Sequence, residues 1–325
     1  MNRRDCIFAL LALSAPLYPM AQPASGMPRI GMLLGGWSST SRHLVRAFRK
    51  GMADLGYHEG QNVRYVERYA DGIDDKIDQY ARELAAVKVD LIWTTGVVPA
   101  VAAQKATASI PIVFAIVADA VSAKLVHSLS TPGTNATGNT IMAPELSAKL
   151  LEILNEIIPK VRRVGVLQYP GDSSNAEQLS FAQKGALALG KELLIVEARA
   201  REEFVAAFTK LSQWRAQALL ILSSALFFNQ RKALLDAARE HGWPTFSSAS
   251  EYAEAGGIVS YGPDFVDNCR SSADYVDKIL RGAKPGELPV QQPVKFELVI
   301  NVKTARAMKI VIPRSMLLRA ERVIE

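Results

Sequence analysis

Cysteine is nearly absent from this sequence: Cys6 and Cys269 are the only two in 325 residues. That excludes a small disulfide-built scaffold, so the fold must stand on its hydrophobic cores. Histidine is almost as scarce. His43, His58, His127 and His241 are scattered, and none has a Cys, His or carboxylate at metal-ligand spacing, so no metal is expected. There is no Walker-type phosphate loop, no Gly-x-Gly-x-x-Gly and no Gly-x-Ser-x-Gly elbow, and Gly35-Gly36 is at most a tight turn. Ser173-Ser174 and Ser223-Ser224 lack a His or Lys base in matching loops, so they read as hydrogen-bond donors or helix caps, not nucleophiles. No catalytic residue and no cofactor is therefore expected. Long blocks of one charge are missing too. The formal charge is +6, but Lys and Arg are interleaved with Asp and Glu, which describes a solvated surface and speaks against a nucleic-acid track.

What is present is a chain of ordinary composition, 49% hydrophobic and 22% charged, large enough for two cores. Residues 1–26 resemble an export signal: Arg3 and Arg4 precede an apolar run from Cys6 to Leu17, followed by small residues from Ala21 to Gly26. The run is too short to span a bilayer. Cys6 lies ahead of the apolar core, where a lipoprotein cysteine cannot be, and its removal would leave Cys269 alone. A soluble exported product, placed in the periplasm, is the expectation.

The chain then says nearly the same thing twice. Arg29-Ile30-Gly31-Met32-Leu33 and Lys50-Gly51-x-x-x-Leu55-Gly56 recur as Arg163-Val164-Gly165-Val166-Leu167 and Lys184-Gly185-x-x-x-Leu189-Gly190, both at an offset of 134 residues. Ile110-Pro111-Ile112-Val113-Phe114 returns as Trp243-Pro244-Thr245-Phe246 at an offset of 133. So long a period implies two lobes of one design and a cleft between them. Short apolar runs alternate with amphipathic stretches. Strands are predicted at Arg29–Leu34, Val63–Tyr69, Asp90–Thr94, Ile112–Ile116 and Thr137–Ile141, and again at Arg163–Gln168, Leu193–Glu197, Ala218–Leu222, Pro244–Phe246 and Ile258–Tyr261. Helices lie between them, the pattern of α/β lobes with parallel sheets and crossover helices.

In such sheets ligands lie beyond the carboxyl ends of the strands, against helix N-termini. The residues just after each strand are therefore the candidate ligand-binding set: Trp37, Ser38, Thr95, Gly96 and Asp119 in the first lobe, and Tyr169, Ser173, Ser174, Ser223, Ser224, Ser248 and Tyr261 in the second. Trp37 and Tyr169 occupy equivalent places and would either sandwich a ring or pack at the rim. Asp119 would either pair with a ligand ammonium or cap the helix beginning near Ser122. Phe227-Phe228 would line the cleft or seat the following helix.

Several longer motifs together resemble one family. They are Gly51-x-x-x-Leu55-Gly56-Tyr57-x-x-Gly60-x-Asn62-Val63, Pro132-Gly133-Thr134-Asn135-Ala136-Thr137-Gly138, Pro159-x-Val161-x-Arg163-Val164-Gly165-Val166-Leu167 and Phe296-Glu297-Leu298-Val299-Ile300-Asn301. The resemblance is to solute-binding components of bacterial ABC importers, in the subfamily with tryptophan- and phenylalanine-binding members. It implies a type I periplasmic-binding fold, two Rossmann-like lobes joined by a three-segment hinge at Gly138–Ala143, Tyr261–Asp264 and Pro289–Pro293. The lobes implied are 27–140 with 264–290, and 141–263 with 291–325. It implies a small-molecule ligand, such as an aromatic amino acid or aromatic carboxylate, and a permease partner in the inner membrane, with the binding protein a monomer. A ligand-sensing periplasmic partner of a signalling receptor is the alternative. The family often carries an Asp where this chain has Ser223-Ser224-Ala225, which removes an expected partner for a ligand ammonium.

Overall fold

The computed structural model describes residues 26–325, and apart from Gly26 the expected export signal lies outside the described residues. The first lobe alternates β1 (Arg29–Leu34), α1 (Ser38–Asp54), β2 (Arg64–Tyr69), α2 (Asp74–Ala86), β3 (Leu91–Thr95), α3 (Val97–Ala106), β4 (Ile112–Val117) and β5 (Ala136–Thr140). Its five strands form a wholly parallel sheet in the order β2-β1-β3-β4-β5. β1 and β4 are apolar along most of their length because helices cover both faces.

The second lobe follows the same plan: α4 (Ala143–Ile157), β6 (Arg163–Gln168), α5 (Asn175–Ala188), β7 (Glu192–Glu197), α6 (Phe204–Gln213), β8 (Ala218–Ile221), α7 (Ala225–Asn229), α8 (Arg231–Glu240), β9 (Thr245–Ser247), α9 (Ser250–Glu254) and β10 (Val259–Gly262). The chain then runs through α10 (Phe265–Leu280), β11 (Glu297–Asn301), α11 (Val302–Ala307), α12 (Arg314–Arg319) and β12 (Arg322–Ile324). The seven-stranded order is β12-β11-β10-β9-β8-β6-β7. One pairing departs from the parallel expectation: β11 is antiparallel to β10. All the parallel strands end at the cleft, so a chain that re-enters the second lobe from the cleft must run away from it.

Three segments cross between the sheets at that edge. β5 leads into α4, β10 leads into α10, and Gln291 pairs with Asn139 beside β5 before the chain reaches β11. The helices they deliver are exchanged. α10 packs on α1 of the first lobe, where a Cβ on Gly51 would stand 2.3 Å from the Arg270 carbonyl oxygen and 2.9 Å from the Ala273 Cβ. α4 packs on α5, where a Cβ on Gly185 would meet Ala148 at 3.3 Å. The repeated Lys-Gly motif thus marks the seat of each visiting helix. The α10 seat is reinforced by Trp93, which stacks on Phe48 at 4.3 Å and donates its Nε1–H to the Ser272 hydroxyl at 2.8 Å.

A second pair of glycines sits just before two of the crossings. A Cβ on Gly138 would lie 1.9 Å from the Phe114 carbonyl oxygen, and one on Gly262 would lie 1.8 Å from that of Ser248. These are backbone atoms, of β4 in the one case and of the bend just after β9 in the other, and a Cβ that close would force the chain itself to shift. Gly138→Ala and Gly262→Ala are each expected to destabilise the protein by about 3 kcal/mol in urea unfolding, against about 1 kcal/mol or less for Gly242→Ala at a turn with open space around it.

Candidate functional site

The strands' carboxyl ends and the helices that follow them enclose a cavity between the two lobes. It holds about 620 Å³ of atom-free space, part of it open at the mouth. The first lobe contributes Gly35, Gly36, Ser41, Leu44, Thr95, Gly96, Val97, Ile116 and Ala118. The second contributes Asp172, Ser223, Ser224, Ala225, Phe228, Asn229, Ser248, Ala249 and Tyr252, and Phe265 of α10 completes the wall. The lobes touch around it. Thr40 donates its hydroxyl to Asn229 Oδ1 at 2.6 Å, His43 Nε2 lies 3.2 Å from Glu251 Oε1, and the Tyr169 hydroxyl donates to Asp74. A Cβ on Gly36 would fall 2.2 Å from Asn229 Oδ1, so only glycine lets this edge close.

The apolar part of the lining is Leu44, Ile116, Phe228, Tyr252 and Phe265, with Phe228 packed against both Tyr252 and Phe265. Ile116 takes φ +57°, the left-handed region that costs a β-branched residue on the order of 1–3 kcal/mol, and the β4–β5 register shifts there. The strained backbone forms part of the cavity wall. Phe228 is fixed from behind by the Arg231 guanidinium, 4.6 Å from its ring centroid, and edge-on by Tyr252 at 6.2 Å. Burial pushes the Tyr252 hydroxyl well above the usual phenol range.

The polar lining is mostly uncharged. No side chain caps α3, whose N-terminal residues Gly96 and Val97 line the cavity, so first-turn N–H groups are left for a ligand. Asp172 is the exception. It is 4% exposed, and its Oδ1 accepts the Ser174 N–H at 3.0 Å and the Ser174 hydroxyl at 2.6 Å. Among the described residues no donor reaches its other oxygen, and no Lys or Arg lines the cavity. Burial pushes the carboxyl up to about 6, against a smaller downward pull from Ser174.

Of the residues expected from the sequence, Thr95, Gly96, Ser223, Ser224 and Ser248 meet at this cavity. Ser174 stands behind it, holding Asp172. Ser224 also caps α7, accepting the Phe227 N–H. The others lie outside the lining. Trp37 packs beside Gly72 at the outer turn, and Ser38 and Ser173 are exposed. Asp119 caps its own turn through the N–H groups of Val121 and Ser122. Tyr169 is buried against Phe227 with its hydroxyl, pushed up by burial and then by Asp74, reaching across the rim. Tyr261 stacks on Phe296 away from the cavity. The proposed aromatic sandwich of Trp37 and Tyr169 is thus not formed, because both rings are held by packing elsewhere. Phe228, not its neighbour Phe227, reaches the cavity, while Phe227 is fully buried. Asp172 was legible only as a member of the loop after β6.

The sequence matches the profile of the family described as ABC transporter substrate binding protein over residues 39–324. The chain belongs to that family. Its members bind solutes and are not enzymes. A tyrosine-binding protein of Clostridioides difficile (strain R20291) is 25% identical over 264 residues, covering 81% of this chain and 75% of the relative. A conserved domain protein of Vibrio cholerae is 28% identical with a TM-score of 0.87, covering 92% of this chain and all of its own. An ABC domain from Streptococcus pneumoniae solved with L-Trp gives a TM-score of 0.86 at 23% identity, over 92% of this chain and all of its own.

Asp172 carries a pH signature. Its carboxyl is held at about 6 in the fold against an ordinary value of 3.8, so between those values the folded ligand-free protein binds more protons than the unfolded chain. The stability this group contributes is full below pH 3.8 and lost as pH rises through 6, in total roughly 3 kcal/mol. Asp172→Asn keeps an acceptor for Ser174 and fixes a neutral group. The variant should melt a few degrees above the wild type at pH 7.5, and the gap should close near pH 4 in paired thermal scans.

Proposed function

We propose that this protein captures a small amphipathic molecule, an aromatic amino acid or an aromatic carboxylate, between its lobes and presents the closed form to an ABC permease in the inner membrane. The observation that carries this reading is the inter-lobe cavity lined by the aromatic cluster of Phe228, Tyr252 and Phe265 and by hydroxyls, an uncapped helix N-terminus and one carboxylate. A ligand bridging the two lobes would join their polar groups and hold the rim contacts closed. The tyrosine-binding relative and the L-Trp complex of a structural neighbour support an aromatic side chain.

In this reading residues 27–140 with 264–290 move as one lobe and 141–263 with 291–325 as the other, turning about the three crossings. The protein works in the periplasm as a monomer. No helix among the described residues is long and apolar enough to cross a membrane, in keeping with delivery to a separate permease.

A thermal-shift screen tests the capture. An aromatic ligand at 100 times its dissociation constant adds roughly 2.7 kcal/mol to folding stability, a shift of several degrees. Phe228→Ala should weaken that ligand by about 10- to 100-fold in calorimetry, whereas Ser173→Ala, at an exposed position, should leave it within about threefold. An unshifted melting curve across tyrosine, tryptophan, phenylalanine and their aromatic acid analogues would remove the aromatic reading. Loss of labelled-ligand uptake on deleting either the binding protein or its permease would test the delivery step.

A further inference from the structure

We propose that Asp172 is an ammonium anchor, and that the cleft therefore selects ligands bearing a protonated amine over carboxylates of the same shape without one. The inference rests on reading the inter-lobe cavity as the ligand site. It decides between the two classes, amino acid and plain aromatic acid, that the cavity's aromatic wall alone leaves equal.

Asp172 is the one charged side chain among the lining residues, and it is nine-tenths and more buried. Its two oxygens are used differently. Oδ1 closes the turn that starts α5, taking both the N–H and the hydroxyl of Ser174, and this accounts for a structural role in full. Oδ2 has no partner among the described residues, although an uncompensated buried carboxylate is costly. The neighbouring titratable groups do not supply a counter-ion. Tyr169 is turned to Asp74 across the rim, Asp74 is itself an acid, and Lys and Arg are missing from the lining. The cavity is the remaining place from which a cation can come.

The surrounding chemistry fits one end of a zwitterion. Gln178, on the same helix, is committed to the Ser223 N–H and carbonyl, holding the β8 loop against the start of α5. Ser223 and Ser248 line the cavity with Asp172, while Thr95 and the N-terminus of α3 face it from the other lobe. An ammonium on the second lobe's carboxylate and a carboxylate on the first lobe's helix N-terminus would tie the lobes through one ligand. The loops after β6 and β8 meet at the cavity because the two strands are adjacent in the sheet. The raised carboxyl, at about 6, is the state an arriving ammonium would relax.

The test is titration calorimetry at pH 7.5 on wild type and Asp172→Asn. The probes are L-tyrosine, L-tryptophan and L-phenylalanine beside 3-(4-hydroxyphenyl)propionate, indole-3-propionate and 3-phenylpropionate, with L-leucine and 4-methylpentanoate as an aliphatic pair. The amino acid of a binding pair should exceed its deaminated partner by about 100-fold, and Asp172→Asn should erase most of that ratio while melting no lower than wild type. If only the aliphatic pair binds, with the same ratio and the same loss in the variant, the anchor stands and the aromatic reading falls. Equal affinity for amine-bearing and amine-free partners overturns the anchor and leaves the aromatic reading in place. So does an amino-acid affinity within threefold of wild type in Asp172→Asn. Binding of the amine-free aromatic acids alone overturns the anchor and keeps the aromatic reading, and binding by none of the probes overturns both.

Discussion

The reciprocal exchange of helices between the lobes is the constraint on which the rest of this molecule depends. The strand that ends the first lobe's sheet sends α4 to the second, and β10 sends α10 back to the first. Each visiting helix is seated on a glycine of the repeated motif, Gly51 or Gly185, where backbone and small side chains come within contact distance. With both helices locked into the other lobe's core, separation would tear two packed interfaces, whereas rotation about three short crossings at the cleft edge disturbs neither. On the proposed function, closure and opening about these crossings are the motion such a chain would use.

The cavity between the lobes brings together groups that are individually unfavourable. A carboxylate is buried without a counter-ion at Asp172, and a β-branched residue is held in the left-handed region at Ile116. Both depart from what a purely structural core would choose, and both line one cavity. Departures from local consistency concentrate at functional sites because a bound partner supplies the missing interaction. The rim is ordinary by contrast. Thr40 pairs with Asn229, His43 with Glu251 and Tyr169 with Asp74, ordinary polar contacts between the lobes.

Most of the architecture was legible because it is written in local patterns. Apolar runs bounded by Gly and Pro placed β1 and β6 at Arg29–Leu34 and Arg163–Gln168, and the other strands agreed to within a residue or two. Gly56 and Gly190 adopt the positive φ expected after a helix, +89° and +61°. The antiparallel entry of β11 was not legible, since strand direction depends on where the chain has been, not on what the strand contains. At the site, the loops after the strands meet at one cavity, and of the residues picked out in them Thr95, Gly96, Ser223, Ser224 and Ser248 line it. Trp37 turns outward onto Gly72, Asp119 is consumed by its own turn, and Asp172, four residues past the end of β6, lines the cavity instead.

The sequence by itself determined the two-lobe α/β design and the position of the cleft at the strand ends. These follow from hydrophobic periodicity and a repeat of 134 residues. The tertiary structure alone decided which strand-end side chains share one cavity, which lobe each helix serves, and that the lone charge among the lining residues is Asp172. The reason is physical: an element's type is set by neighbours a few residues away. The direction of a loop side chain, and whether a charge there finds a partner, is set by packing between segments that lie a hundred residues apart.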